Sequence, residues 1–317
     1  MIAPPQPKVG SPLLVPFDGS ASAETVLPFV PLFADDNRDV ILLQIVPEPR
    51  EVRGPLGELM LSAVEMWRAS ESAAQADLER AASVLAALDA TLRLWRVVER
   101  GEPAERIVEA ARLRAAHTIL LASQGASATG LNGFGSVVGR VVRTASVSVI
   151  VVRPGFPLTQ PANITRLVVA HDGSERAARA LEPARDLARR LSAHVHVVAV
   201  VEDEESPVPA AIAAALAPHL RSEARADARN AAQRRVEAIG AHLLQQGLPA
   251  SWEVRSGPAA LAIIESCAPQ DLLVITPHGQ TGGCWTLGSI AEKLVRESSV
   301  PVLLVRSQQD LQAEFIE

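Results

Sequence analysis

The sequence predicts an α/β protein of two repeated domains, each a five-stranded parallel sheet with helices on both faces. Three observations predict this fold class. The chain repeats itself once, short apolar runs alternate with helical stretches in each copy, and glycine-rich breaks follow the apolar runs. Short continuous apolar runs bounded by such breaks are typical of parallel strands buried under helices.

The repeat consists of blocks of similar sequence that recur in the same order. The clearest pairs are LLVPFDGSASA (13–23) with LVVAHDGSERA (167–177), HTILLASQG (117–125) with DLLVITPHG (271–279), and GSVVGRVVR (135–143) with GSIAEKLVR (288–296). We therefore predict one domain at 1–154 and a second at 165–306. A linker rich in Pro and Gly at 155–164 separates them, and a C-terminal tail covers 307–317.

The elements of the first copy follow from its apolar patterns. We predict fully buried strands at 12–17, 39–46, 93–99, 117–122 and 146–152. Helices are predicted at 61–89, at 103–115, where Pro103 suits a first turn, and after Gly135. Pro28 and Pro31 predict a kink or an early end in the first helix, and Pro183 predicts the same in the second copy.

Composition narrows the class of protein. The net charge of −6 argues against a nucleic-acid partner and against an anionic membrane surface. The two cysteines form no CxxC motif and are too few for a disulfide framework, which fits a reducing compartment. The N-terminus lacks the pattern of a signal peptide, and the apolar runs are too short to span a bilayer. We expect a cytoplasmic protein without a membrane partner.

Candidate ligand contacts follow the first strand of each copy. Ligands of doubly wound sheets bind beyond the carboxyl ends of the strands, where the strand order reverses. Asp18-Gly19-Ser20 and Asp172-Gly173-Ser174 come at that point. A carboxylate there could accept a hydrogen bond from a ribose hydroxyl or an adenine amino group. The alternative is a helix cap, since Asp172 and Glu175 have capping-box spacing.

Glycines follow the fourth strand of each copy. Gly125 is followed by Gly135-Ser136, and Gly279 is followed by Gly288-Ser289. Each Gly-Ser opens an amphipathic helix, whose N-terminus offers free N–H groups and a positive dipole end to a phosphate. A Gly/Ser cap without a ligand is the alternative here. An Asp after strand one and glycines after strand four would converge on one crevice in each copy.

These motifs resemble the nucleotide-binding members of the UspA superfamily of universal stress proteins, whose pattern is G-x2-G-x9-G-[ST]. The resemblance covers residues 11–154 and 165–306 and implies Rossmann-like (HUP-type) domains. The first copy departs from the pattern at Ala122, which replaces the first glycine. The second copy has Thr276 there and a gap one residue shorter, so the first site matches the pattern better than the second.

The resemblance implies one adenine-nucleotide site in each copy, for ATP, ADP or AMP, with or without Mg²⁺. Asp18 and Asp172 would contact the adenosine. Backbone groups at Ile45 and Val200 would hold the adenine. Ribose and phosphates would lie against Gly125, Gly135, Ser136 and Val137 in the first copy, and against Gly279, Gly288, Ser289 and Ile290 in the second.

The resulting hypothesis is a stress-response protein that binds ATP or a related nucleotide and signals by conformation or through an unknown protein partner. The alternative is a nucleotide-free scaffold module of the same fold. We predict no catalytic residue and at most slow ATP hydrolysis, because the sequence lacks Walker A, GxSxG and HExxH motifs. An ATP-using enzyme of the HUP-type fold is disfavoured, because the catalytic signatures of those enzymes, an SGGxDS loop or a HIGH motif, are absent. The seven histidines show no metal-ligand spacing, so no metal site is predicted.

The last apolar run of each copy bears on assembly. These runs are VSVIVV at 147–152 and VPVLLV at 300–305. Family members pair the corresponding strands across a two-fold axis. The resemblance therefore implies an internal pseudo-dimer of the two domains, and it allows a further homodimer.

Overall fold

The computed structural model describes residues 11–48, 51–53, 59–125, 135–154, 162–202, 218–277 and 287–306. The chain divides into two compact units between Asn163 and Ile164. We call them domain 1 and domain 2, and each is described by itself.

Domain 1 is built on a parallel sheet. Its described strands are β1 (Leu13–Pro16), β2 (Asp39–Val46), β3 (Val52–Arg53), β4 (Leu59–Leu61), β5 (Arg93–Arg100), β6 (Thr118–Ala122) and β7 (Ser148–Val152). The parallel strands follow the order β7-β6-β1-β2-β5, and the short β3 and β4 pair with each other in antiparallel fashion. The predicted five-stranded parallel sheet is confirmed for this domain, and helices flank it.

The helices of domain 1 begin and end where the sequence signals place them. They are α1 (Ala21–Glu24), a 3₁₀ turn (Leu27–Phe29), α2 (Val30–Phe33), α3 (Ala63–Leu88), α4 (Pro103–Leu113) and α5 (Ser136–Thr144). Ser62 and Glu65 form a capping box at the start of α3. Pro103 is the first residue of α4. The predicted interruption occurs around Pro28 and Pro31, which cannot donate backbone hydrogen bonds.

Domain 2 repeats this architecture. Its described strands are β8 (Arg166–Ala170), β9 (His194–Val201), β10 (Ala250–Ser256), β11 (Asp271–Ile275) and β12 (Val302–Leu304). They are parallel in the order β12-β11-β8-β9-β10. Its described helices are α6 (Glu175–Ala178), α7 (Leu181–Leu191), α8 (Pro218–Gln245), α9 (Ala259–Glu265) and α10 (Ser289–Glu297).

Two expectations about individual elements need correction. Pro183 does not end its helix but lies in the first turn of α7, and the break comes just before it, at residues 179–180. The missing N–H of Pro183 explains this position, because a proline in a first turn interrupts no hydrogen bond within its own helix. The run 93–99 is not fully buried, since β5 is an outer strand whose Arg93, Arg96 and Arg100 are exposed.

Candidate functional site

The strand order creates one crevice in each domain. In domain 1 the chain runs from β1 to β2 and β5 on one side, and then returns to β6 on the other side of β1. The loops that follow β1 and β6 carry Asp18 and Gly125. In domain 2 the same reversal falls between β8 and β11. The carboxyl ends of these strand pairs are therefore where a ligand of such a sheet binds.

Asp18 organises the loop that enters helix α1. Its Oδ1 accepts hydrogen bonds from the Ser20 N–H at 3.1 Å and from the Ser20 Oγ–H at 2.6 Å. Ser20 is the N-cap of α1 and accepts from the Ala23 N–H at 3.1 Å. Ser20 is therefore the cap. The exposed Asp18 lies outside the helix, and its Oδ2 lies on the side of Gly125.

Domain 2 repeats the arrangement at Asp172. Its Oδ1 accepts from the Ser174 N–H at 2.9 Å, and Ser174 accepts from the Ala177 N–H at 3.0 Å. The spacing of Asp172 and Glu175 suggested a capping box, but Ser174 is the cap and Glu175 is the first helical residue. The capping alternative therefore does not account for either aspartate by itself.

Gly125 and Asp18 meet, although they follow different strands. A β-carbon added to Gly125 would lie 2.7 Å from Asp18 Oδ2, closer than packed atoms approach. Glycine at 125 thus makes room for the Asp18 carboxylate, in addition to the phosphate approach that the sequence suggested. Gly279, the matching residue of domain 2, lies outside the described residues.

Gly135 and Gly288 begin the helices that face the crevices. The Gly135 N–H donates to the Ser123 carbonyl at 3.0 Å, and the Gly288 N–H donates to the Pro277 carbonyl at 2.9 Å. These bonds tie each helix start to the end of the neighbouring strand. Neither glycine has a side chain with which to cap its helix. No side chain among the described residues caps the N–H groups of the first turn, which can donate to solvent or to a ligand.

The residues after these glycines present their side chains at the same helix starts. Ser136 and Ser289 are exposed, Val137 is half-buried, and Ile290 is 40% exposed. A β-carbon at Gly135 would meet only ordinary contacts, at 3.4 Å from the Ser123 carbonyl oxygen. The described packing therefore has room for a β-carbon at position 135, and a larger residue there tests ligand approach.

The backbone at Ile45 and Val200 opens toward the crevices. The Leu43 carbonyl accepts the last hydrogen bond from the β1 side, from the Phe17 N–H at 2.8 Å. Ile45, two residues further along β2, points its N–H and C=O to the same side, where β1 has ended. Val200 follows Val198 in the same way, since the Val198 carbonyl accepts from the His171 N–H at 2.8 Å.

Two residues of domain 1 escaped the sequence reasoning. Asp77 on α3 reaches Gly19, so a β-carbon at Gly19 would run into the Asp77 carboxylate. Gln44 Nε2 donates to Asp77 Oδ2 at 3.3 Å, and Gln44 Oε1 is buried without a hydrogen-bond partner among the described residues. Gln44 did leave a signal, as the one polar residue of the run VILLQIV, but nothing in the sequence marks Asp77.

His171 and Arg235 are the missed residues of domain 2. His171 Nδ1 accepts from the Gly173 N–H at 2.9 Å, so the neutral ring carries its proton on Nε2. That Nε2 is buried and has no hydrogen-bond partner within the described ranges. Burial lowers the pKa of His171; nearby Asp172 opposes this change, and Arg235 adds to it. His171 is therefore neutral at pH 7, beside a cation.

Each crevice combines hydrogen-bonding side chains with the N-terminus of a helix. Within the part of the chain that the structure describes, no group of three or more His, Cys, Asp or Glu side chains could hold a metal ion. The described helices include none that is both long enough and apolar enough to cross a membrane. The hydrogen-bonding groups and the helix N-terminus of each crevice can contact a polar ligand that has an anionic end.

The strand order and the flanking helices define a doubly wound α/β protein, and comparison with known proteins gives the family. The model of the universal stress protein family matches residues 11–153 and 163–306. The chain therefore belongs to the universal stress protein family, and the duplicated sequence is a tandem pair of its domains. No curated protein matches the chain.

Solved structures with the same tandem length show the same fold. A universal stress protein from Archaeoglobus fulgidus DSM 4304 is 22% identical with a TM-score of 0.66, over 94% of this chain and 97% of that one. A putative universal stress protein from Pseudomonas aeruginosa UCBPP-PA14 is 16% identical with a TM-score of 0.61, over 95% of each chain. At these identities the likeness extends to the fold alone.

Proposed function

We propose that this protein binds an adenine nucleotide (ATP, ADP or AMP) in the crevice of each domain and signals stress through its conformation or a protein partner. The observation that carries the proposal is the convergence in domain 1. The Asp18 carboxylate, Gly125, the outward backbone of Ile45 and the uncapped start of α5 all lie around the end of β1 and β6.

The chemistry of these groups suits the parts of the ligand. The backbone of Ile45 offers one donor and one acceptor, which complement the ring nitrogen and the amino group of adenine. A carboxylate such as Asp18 accepts from ribose hydroxyls. The N–H groups that open α5 suit phosphate, and Ser136 adds a hydroxyl donor. Any Mg²⁺ would be carried mainly by the phosphates, because the described residues supply no carboxylate cluster for it.

Calorimetric titration of ATP and AMP into nucleotide-stripped protein tests the proposal. We expect Gly135→Val to weaken binding in domain 1 about tenfold or more, which corresponds to about 1.4 kcal/mol. Gly288→Val does the same for domain 2. Thr144→Val, at the far end of α5, is the control and should bind like the parent protein. Absence of binding by every form at millimolar nucleotide contradicts the proposal.

That negative result would favour the scaffold alternative. Its signature is a protein partner that is captured equally well by the parent and by Gly135→Val. Three further expectations stay predictions: the cytoplasmic location, the domain limits 1–154 and 165–306 with the linker and tail, and the internal pseudo-dimer. Little or no catalysis is likewise predicted, and ATP hydrolysis by the purified protein is its direct assay.

A further inference from the structure

The long helix of each domain places a charged side chain against the glycine that follows the site aspartate. Gly19 and Gly173 adopt positive φ, +76° and +90°, which favours glycine. A β-carbon at Gly19 would meet the Asp77 carboxylate of α3, and one at Gly173 would meet the Arg235 guanidinium of α8. The same place in the repeat therefore holds opposite charges.

In domain 1 the surroundings of Asp77 are rich in hydrogen-bond acceptors. Asp77 Oδ2 accepts from Gln44, whose own Oε1 is a buried acceptor without a partner among the residues described. Asp77 Oδ1 pairs with Arg80 at 2.5 Å, but the Arg80 side chain is 64% exposed. An exposed cation offsets a carboxylate only in part. Asp18, adjacent to Gly19, adds a second negative charge.

In domain 2 the same place is rich in donors. Arg235 brings a permanent cation, and His171 brings a buried Nε2–H that no described residue accepts. The strand register places Ala199 at the position of Gln44, so the amide acceptor is missing as well. In the first copy the position of His171 is Phe17. The crevices thus share a backbone and differ by two units of charge at one helix position.

We infer that Asp77 and Arg235 set the ligand charge that each crevice prefers: domain 2 takes the more highly phosphorylated nucleotide, and domain 1 takes the less phosphorylated nucleotide or the nucleoside. This inference rests on the proposed function. Asp77 and Arg235 are half-buried beside the loops that carry the site aspartates, so each acts on a ligand of its crevice through partly excluded solvent. The effect grows with the number of phosphates and leaves uncharged adenosine almost unchanged.

The experiment is the ratio of affinities for ATP and adenosine, measured by calorimetry at low salt. Domain 2 is observed in the Gly135→Val background and domain 1 in the Gly288→Val background. We expect Arg235→Asp to lower the ratio of domain 2 about tenfold, and Asp77→Arg to raise the ratio of domain 1 by a similar factor. Both effects shrink as salt is added. Glu71→Arg and Arg234→Asp, which change charges elsewhere on the same helices, are the matched controls for charge alone.

Asp77→Asn and Arg235→Gln each remove one charge. They replace the charge-reversal variants if thermal unfolding shows that those variants do not fold. These variants should move the ratios in the same directions by about threefold. Binding that persists with unchanged ratios, or with changes equal to those of the controls, overturns this inference and leaves the proposed function intact. Absence of adenosine and ATP binding in every form, including the parent, overturns both.

Discussion

Domains 1 and 2 have the same sheet order, yet the last two strands on one side of each sheet differ in polarity. Domain 1 has Ile41, Trp95 and Val97 on one face of β2 and β5. The matching residues on β9 and β10 are His196, Ser251 and Glu253. A parallel sheet requires extended backbone and side chains that fill the space next to it, and the residues of both domains meet these requirements. Residue chemistry on these strands is therefore free to diverge after duplication, while hydrogen-bonded topology is not.

The long helices differ in the same way. Gly240 of α8 packs directly against the Trp252 ring, whereas the matching place in α3 is the buried Ala82, and Arg96 replaces the tryptophan. A small helix residue in domain 2 is thus matched to a large strand residue. In domain 1 the helix residue is larger by one methyl group, and the strand residue Arg96 makes an ion pair with Glu79 on the same helix.

The largest expected effect comes from breaking the Gly240–Trp252 fit. A β-carbon at Gly240 would overlap the indole ring, so Gly240→Ala forces the ring or the helix to move. We expect a loss of about 2–3 kcal/mol in the free energy of unfolding, measured by urea titration. Ala82→Gly is the matched control, with a loss of about 1 kcal/mol from helix propensity. A Gly240→Ala variant that is more stable than the parent would contradict the close packing of Gly240 against Trp252.

An intermediate effect is expected at the polar cluster of domain 2. Ser251 Oγ lies 2.7 Å from His194 Nε2 and 2.7 Å from His196 Nδ1, and His196 Nε2 lies 3.3 Å from Glu253 Oε1. The hydroxyl can donate to one ring and accept from the other. Ser251→Ala leaves both ring nitrogens without it, and we expect a loss of about 1–2 kcal/mol in urea unfolding.

Ser256 supplies the control for that measurement, because it lies at the exposed end of the same strand. Its hydroxyl accepts from Arg229 at 3.0 Å in solvent. Ser256→Ala should change the free energy of unfolding by less than about 0.5 kcal/mol. Equal losses in the two variants would mean that the bridging of the histidines does not stabilise domain 2.

The smallest effect at neutral pH, and a larger one in acid, is expected for His171→Phe, which copies Phe17 of domain 1. Burial lowers the pKa of His171, and burial with His196 and Arg166 lowers that of His194. The unfolded chain therefore binds protons more readily than the folded chain. The stability is full above the ordinary histidine pKa and is lost as the pH falls below it.

The measurement for His171→Phe is urea unfolding at pH 7 and at pH 5. At pH 7 we expect a change within about 1 kcal/mol, since the substitution also removes a buried Nε2–H that lacks a described partner. The parent should lose stability between the two pH values, and the variant should lose less. An identical fall in both proteins would place the acid sensitivity elsewhere, with His194 as the next group to replace.

Much of the fold was predictable because its signals are local. The runs of β1 and β6 are continuously apolar and end at polar or glycine residues. The capping box of α3 and the glycine before α5 mark helix starts within a few residues. The misjudged elements depended on neighbours. Burial of β5 is limited by its outer position in the sheet, and the effect of Pro183 depends on where its helix begins.

The candidate site likewise contains residues that the sequence could predict and residues that only the tertiary structure brings together. Asp18, Gly125 and Gly135 were predictable, because each follows a strand whose carboxyl end must lie at the sheet edge. The sequence by itself determined the duplication, the α/β class and the chain positions of the two crevices. Only the tertiary structure decided that Asp77 and Arg235 approach Gly19 and Gly173. The physical reason is that a helix position far along the chain meets a loop only through packing, which no local pattern encodes.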